Sequence, residues 1–390
     1  MTQSRHRFKL RDAWRCLRLR LALRIYRLAL LGVRRAAPGE PVRIGIFRRG
    51  GIGDWAVFVP ALARYAAMFP APAHRITVYG DARFAPFRFL SDVEHEFVAI
   101  DQARWRGSLR YRGALLRSVR RRGFAVWIDT DVSRNKVGLL LAHAAAAPHR
   151  YTLDAPHIDR CAARPLLARH FNAIAPVPAA DEHESRRVAR LVAFVADARG
   201  LPTPAAAPPP TPPAAPLTQP YLALFCGASA AVRAWPLARF AEVARRLHAR
   251  QGLLPVFLGD DATPGLDALL AGTPALDLRR RTDAHELVAY LAHATLTVSN
   301  DSAGLHVAAL FGGATLAIAP GPSFSRYCLY PQRHVRVVHR ADTSCFDCEA
   351  RCRYAITASG IYPCLDAIDV DMASAAAEAM LADLKSGSTV

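Results

Sequence analysis

The chain has 390 residues, of which 52% are hydrophobic and 21% are charged. This composition supplies enough apolar side chains for more than one core and excludes a mostly disordered chain. The formal charge is +19, and residues 1–35 contribute about half of that excess, with eleven Lys or Arg against one acid, Asp12. Because the folded body is only mildly basic, we expect no nucleic-acid partner.

The distribution of residue types excludes two further classes. Arginines interrupt every apolar stretch near the N-terminus, so no run approaches the ~20 apolar residues of a transmembrane helix or the ~7–15 of a signal-peptide core. Eight cysteines are too few for a disulfide scaffold in a chain of 390 residues. We therefore expect a cytoplasmic protein.

Residues 8–35 contain no proline and predict a helix with two apolar stripes. Arginines fill the gaps between the stripes, so the helix is basic as well as apolar. The first stripe is Leu10, Trp14, Leu17, Leu21, Ile25 and Leu28, and the second is Leu19, Leu23, Tyr26 and Leu30. Such a helix suits either an anionic membrane surface, contacted through residues 5–35, or a docking site on the protein itself.

Strands and helices alternate along the first half of the chain. The predicted order is strand 42–48, helix 55–69, strand 75–79, helix 109–122, strand 124–128 and helix 136–146. This alternation is typical of parallel, doubly wound α/β sheets.

Residues 202–218 are rich in proline and predict an extended linker, because proline fixes φ and lacks a backbone donor. The alternation resumes after it. The second set is strand 221–225, helix 237–250, strand 254–258, helix 284–293, strand 296–299, a helix from about Ala303 and strand 315–319. We therefore predict a basic extension (1–38), a Rossmann-like domain (39–201), the linker and a second Rossmann-like domain (219–390).

A glycine-rich loop with one carboxylate follows the first predicted strand. Gly51 and Gly53 allow a tight turn and close approach to a ligand, and the helix that follows favours an anion at its N-terminus. The spacing is neither the G-x-G-x-x-G fingerprint nor a P-loop. Asp54 has two interpretations: it caps the helix, or it serves as a general base at the carboxyl edge of the sheet.

Two loops of the second half combine residues that bind phosphate. In Ser299 to His306, Ser302 and the first-turn N–H groups can hold a phosphate, and His306 adds a donor or a positive charge. After the strand at 221–225, Ser229 and Arg233 supply a hydroxyl and a guanidinium. The alternative for Ser299 to His306 is a helix cap with a core histidine.

Two short clusters have competing interpretations. Asp129-Thr130-Asp131 is similar to an Asp-x-Asp metal site, but three such residues recur often by chance, which favours a turn or a helix cap. The cysteines in 345–364 either bind a structural zinc ion tetrahedrally or remain free or reversibly oxidised thiols. They are Cys345, Cys348, Cys352 and Cys364.

Taken together, these segments resemble glycosyltransferase family 9, the heptosyltransferases. Members carry a strand, a loop ending Leu-Gly-Asp and a helix opening near Pro-Ala-Leu, and here Ile52-Gly53-Asp54 is followed by Pro60-Ala61-Leu62. The family's Gly-Asn-Asp-Ser-Gly-x-x-His is similar to Ser299 to His306. The likeness runs from about Arg43 to Leu381, outside the proline linker.

The resemblance implies an α/β fold of GT-B type, with two Rossmann-like, doubly wound domains that face a central cleft. It implies inverting, metal-independent transfer of a heptose or related sugar from a nucleoside-diphosphate donor, with ADP-heptose as the favoured donor. The implied acceptor is lipopolysaccharide or another lipid-linked surface glycan at the inner face of the cytoplasmic membrane, and no cofactor is required. The competing hypothesis is a non-catalytic protein that binds nucleotide sugars on the same fold.

The resemblance also implies roles for single residues. Asp54 would be the general base that deprotonates the acceptor hydroxyl. The residues that would hold the donor are Gly51, Gly53, Ser229, Arg233, Asp301, Ser302, Ala303 and His306. Three positions depart from the family: Ala303 replaces a glycine, Arg233 a frequent lysine, and Thr263 a frequent glutamate that contacts the donor sugar. Asp129-Thr130-Asp131 then matches the family's Asp-x-Gln position rather than a metal motif.

Overall fold

The computed structural model describes residues 17, 21–28, 30–37, 39–131, 136–154, 167–176, 182–340, 345–348 and 352–386. By its contacts the chain divides into two compact units. The first comprises residues 1–51, 58–180 and 185–207, and the second comprises 52–57, 181–184 and 208–390. Of the predicted N-terminal helix 8–35, residues 21–28 are helical (α1), and residues 8–16, 18–20 and 29 lie outside the described residues.

The first unit is built on a parallel sheet. Its strands are β1 (Val42–Arg48), β2 (His74–Asp81), β3 (Glu96–Ile100), β4 (Val126–Asp129), β5 (His149–Leu153) and β6 (Ala173–Ala175). They form a six-stranded sheet in the order β3-β2-β1-β4-β5-β6. Every neighbouring pair is parallel. In β1, residue 45 must be glycine, because a Cβ there would lie 2.4 Å from the Trp127 ring.

Helices follow most strands of this sheet. They are α2 (Ile52–Met68), α3 (Gln102–Gly107), α4 (Leu109–Arg121), α5 (Lys136–Ala145) and α6 (Glu184–Ala198), with a 3-10 helix at Ala82–Leu90. Side chains define where α3 and α4 begin: Asp101 accepts from Ala103 N, and the Ser108 hydroxyl accepts from Tyr111 N. The buried face of α1 joins the core of this unit through Leu23, Tyr26 and Leu30.

The second unit repeats the plan. Its strands are β7 (Tyr221–Phe225), β8 (Leu254–Leu258), β9 (Leu276–Asp277), β10 (Leu296–Asn300), β11 (Thr315–Ile318) and β12 (Val335–Val338). They form a second six-stranded parallel sheet in the order β12-β11-β10-β7-β8-β9. Its helices are α7 (Leu237–Gln251), α8 (Leu266–Leu270), α9 (Ala284–Ala292), α10 (Ala303–Leu310), α11 (Phe324–Tyr327), α12 (Pro363–Asp366) and α13 (Val370–Lys385).

The core of the second unit packs α7 and α13 against the sheet. Trp235 is fully buried at the start of α7, and its Nε1 donates to the Ile368 carbonyl at 2.9 Å. This contact anchors the start of α7 in the core. The expected α/β fold, with two Rossmann-like parallel sheets, is confirmed.

The proline-rich segment contains neither helix nor strand between residues 201 and 215. The Pro204 carbonyl accepts from Arg64 Nε of the first unit at 2.9 Å. The Pro213 carbonyl lies 2.7 Å from His293 Nε2 of the second unit. Each end of this extended segment is therefore anchored by a hydrogen bond to its own unit.

None of the helices in the described part of the chain is long and apolar enough to cross a membrane.

Candidate functional site

The candidate site lies at the carboxyl ends of β7 and β10. In the second sheet, the strands run outward in chain order from β7 to β9 on one side and from β10 to β12 on the other. The adjacent strands β7 and β10 therefore mark a topological switch point. Open α/β sheets bind ligands in the crevice outside the carboxyl ends of strands at such a point. The segments 227–236 and 299–306 both follow these strands, so the fold brings the two predicted phosphate loops together.

Asn300 ties the two loops to each other. Its Oδ1 accepts from Trp235 N at 2.9 Å, and its Nδ2 donates to the Cys226 carbonyl at 2.7 Å. The side chain is fully buried. Since a buried amide with both ends hydrogen-bonded allows little rearrangement, Asn300 fixes the distance between the loops.

Arg233 reaches from the β7 loop to the β10 loop. Its Nη2 donates to the carboxylate of Asp301 and, at 3.1 Å, to the Asp301 carbonyl, while Nη1 donates to the Ser229 hydroxyl at 3.3 Å. The Asp301 side chain is 2% exposed, whereas that of Arg233 is 26% exposed. The guanidinium therefore neutralises a buried carboxylate and still presents surface to an approaching anion.

The helix after β10 begins without a capping side chain at Ser302. The Ser302 hydroxyl accepts no hydrogen bond from the first turn and lies 3.4 Å from the Ser299 hydroxyl instead. The first-turn N–H groups, beginning at Ala303, are thus not satisfied by Ser302, and the helix dipole favours an anion there. Gly304 lets the helix approach β7 closely, because a Cβ would lie 2.3 Å from the Phe225 ring.

His306 is buried on the same helix and contacts two other segments. Its Nδ1 lies 2.6 Å from the Tyr330 hydroxyl. Burial, with the nearby Cys328 and Asp301, raises the pKa of Tyr330 well above its ordinary value, so this hydroxyl keeps its proton. A Cβ at Gly53 would lie 2.3 Å from His306 Cδ2. The loop of Asp54 therefore packs directly on the helix that carries His306.

The loop from Gly50 to Asp54 turns the chain sharply between β1 and α2. Gly50 adopts a φ of +135°, a conformation that L side chains rarely adopt. Gly51 and Gly53 follow, and Asp54 lies half-buried in the first turn of α2. The Tyr327 hydroxyl donates to Asp54 Oδ1 at 3.2 Å.

A buried ion pair lies beside Tyr327. Arg326 Nε donates to Glu184 Oε2 at 2.9 Å, and the Glu184 side chain is fully buried. Burial opposes the charge of Arg326, but the Glu184 carboxylate outweighs it and raises the pKa of Arg326 above its ordinary value. The Arg326 guanidinium stacks over the Tyr327 ring, 4.7 Å from its centroid. Glu184, Arg326, Tyr327 and Tyr330 lie outside the motifs from which a site was predicted.

Comparison with known proteins identifies the family. A model described as glycosyltransferase family 9 (heptosyltransferase) matches residues 136–347, more than half of the chain. The chain belongs to glycosyltransferase family 9. It is a heptosyltransferase-like glycosyltransferase, as its motifs predict. No curated protein matches the sequence significantly.

Three of the solved structures that share this fold come from two bacteria. A family 9 glycosyl transferase from Veillonella parvula has a TM-score of 0.65 and 18% identity, covering 90% of this chain and all of that one. An Escherichia coli ADP-heptose LPS heptosyltransferase II has a TM-score of 0.60 and 16% identity, covering 88% and 100%. Escherichia coli heptosyltransferase WaaC with ADP has a TM-score of 0.63 and 15% identity, covering 88% and 99%.

In this glycosyltransferase, Asp129-Thr130-Asp131 forms a turn at the end of β4. The Asp131 N–H donates to Asp129 Oδ1 at 2.9 Å, and the Thr130 hydroxyl donates to the Phe47 carbonyl at 2.9 Å. Arg48 Nη1 donates to the Thr130 carbonyl at 3.2 Å. These contacts agree with the turn interpretation of the triplet.

The cysteine segment does not assemble a metal centre in the part of the chain that is described. There, no three His, Cys, Asp or Glu side chains are placed to hold a metal ion. Cys345 and Cys364 are buried, and Cys348 and Cys352 are half-buried. The Cys364 sulfur accepts from Gly321 N at 3.2 Å, and burial raises the pKa of its thiol. Of the two interpretations, a zinc site is therefore not supported by the described residues.

Thr263 is turned toward its own loop. Its N–H and hydroxyl both donate to Asp261 Oδ1, at 3.0 and 2.7 Å. Arg279 Nη1 donates to Asp261 Oδ2 at 3.2 Å and to the Thr263 carbonyl at 2.9 Å. Asp261 and Arg279 therefore hold this loop in place through hydrogen bonds, and neither residue was among the predicted site residues.

Proposed function

We propose that this glycosyltransferase moves a heptose or a related sugar from a nucleoside-diphosphate donor to a lipid-linked glycan such as lipopolysaccharide. ADP-heptose is the favoured donor. The transfer inverts the configuration at C1 of the sugar, needs no metal ion and takes place at the cytoplasmic face of the membrane. The description of the family supports heptose as the sugar. The replacement of a frequent glutamate by Thr263 makes the donor the first point to test.

The contact between Gly53 and His306 carries the proposal. Through this contact, the glycine-rich loop that ends at Asp54 packs against α10. The N-terminus of α10 suits a phosphate. The general base and the site that binds the leaving group must both contact the same bound pair of donor and acceptor. They must therefore lie only a few ångströms apart. The packing of Gly53 against His306, within one compact unit, supports such an arrangement.

The donor's diphosphate is held by positive charge at the switch point. Arg233 presents its exposed edge, Ser229 and Ser302 present hydroxyls, and the first turn of α10 presents N–H groups. As the bond between C1 and the diphosphate oxygen breaks, the electron pair leaves with the diphosphate. Arg233, the helix dipole and a hydrogen bond donated by His306 stabilise this developing charge, which is the task a metal ion performs in other transferases.

Asp54 activates the acceptor. An acceptor hydroxyl approaches C1 from the face opposite the diphosphate, and its proton passes to the Asp54 carboxylate as the new bond between oxygen and C1 forms. One bond forms and one breaks at C1, so the configuration inverts and the products are a glycoside and a nucleoside diphosphate. Tyr327 holds the carboxylate by donating a hydrogen bond to Oδ1.

The test compares wild type with Asp54→Asn, which keeps the size of the side chain and removes its basicity. Both proteins are titrated calorimetrically with ADP, UDP, GDP and CMP and are then assayed for transfer from the matching sugar nucleotide to a delipidated glycan acceptor. Asp197→Asn, at an exposed position on α6, is the matched control.

We expect one nucleoside diphosphate to bind all three proteins with similar affinity. Turnover should fall by at least ~100-fold in Asp54→Asn, because general-base catalysis typically contributes that much, and should persist in Asp197→Asn. Equal turnover in wild type and Asp54→Asn would remove Asp54 from the mechanism. Nucleotide binding without transfer by the wild type would favour the non-catalytic hypothesis instead.

A further inference from the structure

The helix α1 buries one of its apolar stripes and leaves the other exposed. Leu23, Tyr26 and Leu30 are 9%, 5% and 7% exposed and belong to the core of the first unit. On the opposite face, Leu21, Ile25 and Leu28 are 53%, 50% and 65% exposed. The two interpretations of this helix are thus not exclusive, because one stripe docks on the protein while the other remains available.

The exposed stripe is the densest apolar surface in the described part of the chain. The described part of the chain has eleven exposed large hydrophobic side chains, and five of them fall between residues 17 and 31. They are Leu17, Leu21, Ile25, Leu28 and Leu31. A concentration of this kind marks a surface that contacts a partner or a membrane, whereas single exposed leucines need no explanation.

Arginines flank this stripe. At 100° per residue, Arg24 and Arg27 fall on one side of the line from Leu21 to Leu28, between the exposed and the buried faces, and both are exposed. Arg34 is exposed just beyond the helix. Residues 1–35 contain only one acidic residue, so this positive charge is not neutralised locally.

The positive charge continues onto the body of the first unit. Burial and the charge of Arg120 lower the pKa of Arg35, and burial and the charges of Arg120, Arg27 and Arg150 lower the pKa of His143. These residues therefore lie close enough to repel one another. This grouping adds positive charge to the part of the first unit that lies near α1.

A cavity of about 470 Å³ opens beside the segment that follows α1. Its lining includes Arg43, Ser118, Arg121 and Arg122, and also Glu40. Arg122 is paired with Glu96 at 2.5 Å. Arg43 and Arg121 have no carboxylate partner among the described residues, so their charges are available to a phosphate group.

We propose that the exposed stripe of α1 docks on a bilayer rich in anionic phospholipid, with the cavity of Arg43 and Arg121 receiving a lipid phosphate. The occupant is a bilayer rather than a second copy of the chain, because a second copy would bring like charges together, whereas an anionic surface complements them. This inference deepens the proposed function, since it places the enzyme where a lipid-linked acceptor is anchored.

The test is flotation of the full-length protein with vesicles. One set contains phosphatidylcholine alone and the other contains 30% phosphatidylglycerol, each at 50 and 500 mM NaCl. The variants are Leu21→Gln/Ile25→Gln/Leu28→Gln and Arg43→Gln/Arg121→Gln. The matched control, Ile356→Gln/Leu384→Gln, removes two exposed apolar side chains, 43% and 40% exposed, from the second unit.

We expect the wild type to bind the anionic vesicles and to lose that binding at high salt. The leucine variant should bind roughly 1,000-fold more weakly, because each of its three buried aliphatic side chains contributes a factor of about ten. The arginine variant should bind roughly 20-fold more weakly, from about fivefold per arginine, and the control should bind as the wild type does.

Three outcomes would overturn the proposal. They are equal binding to neutral and anionic vesicles, undiminished binding by the leucine variant, and a wild-type dimer that this variant dissociates without vesicle binding. ADP binding and transfer to the delipidated acceptor are measured on the same preparations. A wild type that binds vesicles but neither binds nucleotide nor transfers sugar would defeat the proposed function and leave the docking surface standing.

Discussion

The hydroxyl of Tyr327 donates a hydrogen bond to the carboxylate of Asp54 at 3.2 Å, although the two residues are 273 positions apart in sequence. The tyrosine ring is itself held on two sides. The Arg326 guanidinium stacks over it, 4.7 Å from its centroid, and His306 lies edge-on with the ring centroids 6.0 Å apart. The proposed base therefore has a rigid orienting partner, which limits the rotation of its carboxylate.

Tyr327→Phe removes this hydrogen bond and keeps the ring. A hydrogen bond to a charged group contributes about 1.5–3 kcal/mol, and about 1.4 kcal/mol corresponds to a factor of ten in rate. We expect kcat to fall about tenfold or more with the donor KM unchanged, measured by steady-state sugar transfer. A positioning role for the base affects the chemical step, whereas a structural defect would also weaken donor binding.

Tyr354→Phe is the matched control for this change, because Tyr354 is 48% exposed. Its kinetics should equal those of the wild type. A Tyr327→Phe protein with unchanged kcat, or with an equal loss in donor affinity and in kcat, would show that the hydroxyl does not orient the base.

Gly53→Ala tests whether the close packing against His306 is required. A Cβ at residue 53 would lie 2.3 Å from His306 Cδ2, so the ring must move. We expect a loss of about 1–3 kcal/mol, typical of overpacking, and a Tm lower by roughly 2–8 °C in thermal unfolding. Affinity for the nucleoside diphosphate should also fall, because the displaced ring lies on α10, the helix whose N-terminus is proposed to hold the diphosphate.

The background His306→Ala supplies the control for Gly53. With the ring gone, the added methyl has room, so Gly53→Ala should change the Tm little in that background. Gly39→Ala is a second control, since a Cβ at Gly39 meets no atom within 4 Å. Equal Tm losses in both backgrounds would mean that the cost arises from the helix start and not from the ring.

The sequence predicts the inner strands of both sheets except β5. β1, β7 and β8 begin and end where the sequence analysis places them, because each is an apolar run followed by a turn or a helix signal. The strands β3, β5, β6, β9 and β12 were missed. The residues of the edge strands β3, β6 and β9 are largely half-buried, so these three lack both the continuous apolar run of an inner strand and a clean alternation.

The site could be predicted only where its chemistry is local. Ser229, Arg233, Asp301 and His306 follow strands directly, and a hydroxyl, a guanidinium and a carboxylate at strand ends are visible in one loop at a time. Tyr327 and Glu184 carry no such signal. Their partners lie 273 and 142 residues away, so their roles arise from the tertiary fold alone.

Glu184→Gln should strongly destabilise the protein. Glu184 is fully buried and Arg326 is 14% exposed, so the substitution leaves a buried guanidinium without its counter-charge. Breaking a buried ion pair by removing one partner costs about 3–5 kcal/mol, which urea unfolding at pH 7 would detect. The double variant Glu184→Gln/Arg326→Met should recover part of that loss, because no uncompensated charge remains.

The exposed pair of Arg250 and Glu378 provides the comparison for this cycle. Their side chains are 59% and 29% exposed, and Glu378→Gln should cost less than about 1 kcal/mol. A double variant at Glu184 and Arg326 whose loss equals the sum of its two single losses would show that the pair is not coupled.

The stability of the first unit should fall as the pH drops below about 6.5, through His170. Burial, followed by the charges of His143, Arg150 and Arg169, lowers the pKa of His170 to about 4 from its ordinary value of 6.5. The unfolded chain therefore binds a proton at His170 near pH 6.5, whereas the folded protein binds it only near pH 4. The contribution of the neutral ring is intact above pH 6.5 and is lost progressively down to pH 4.

His170→Phe removes this titration and keeps an aromatic ring against His143, whose ring centroid lies 5.5 Å away. We expect the urea midpoint of the variant to fall less than that of the wild type between pH 7.5 and pH 5. His285→Phe, at an exposed position of the second unit, should leave the wild-type decline unchanged. An equally steep decline in His170→Phe would assign the acid sensitivity to other groups, His143 first, because burial and Arg120 lower its pKa in the same direction.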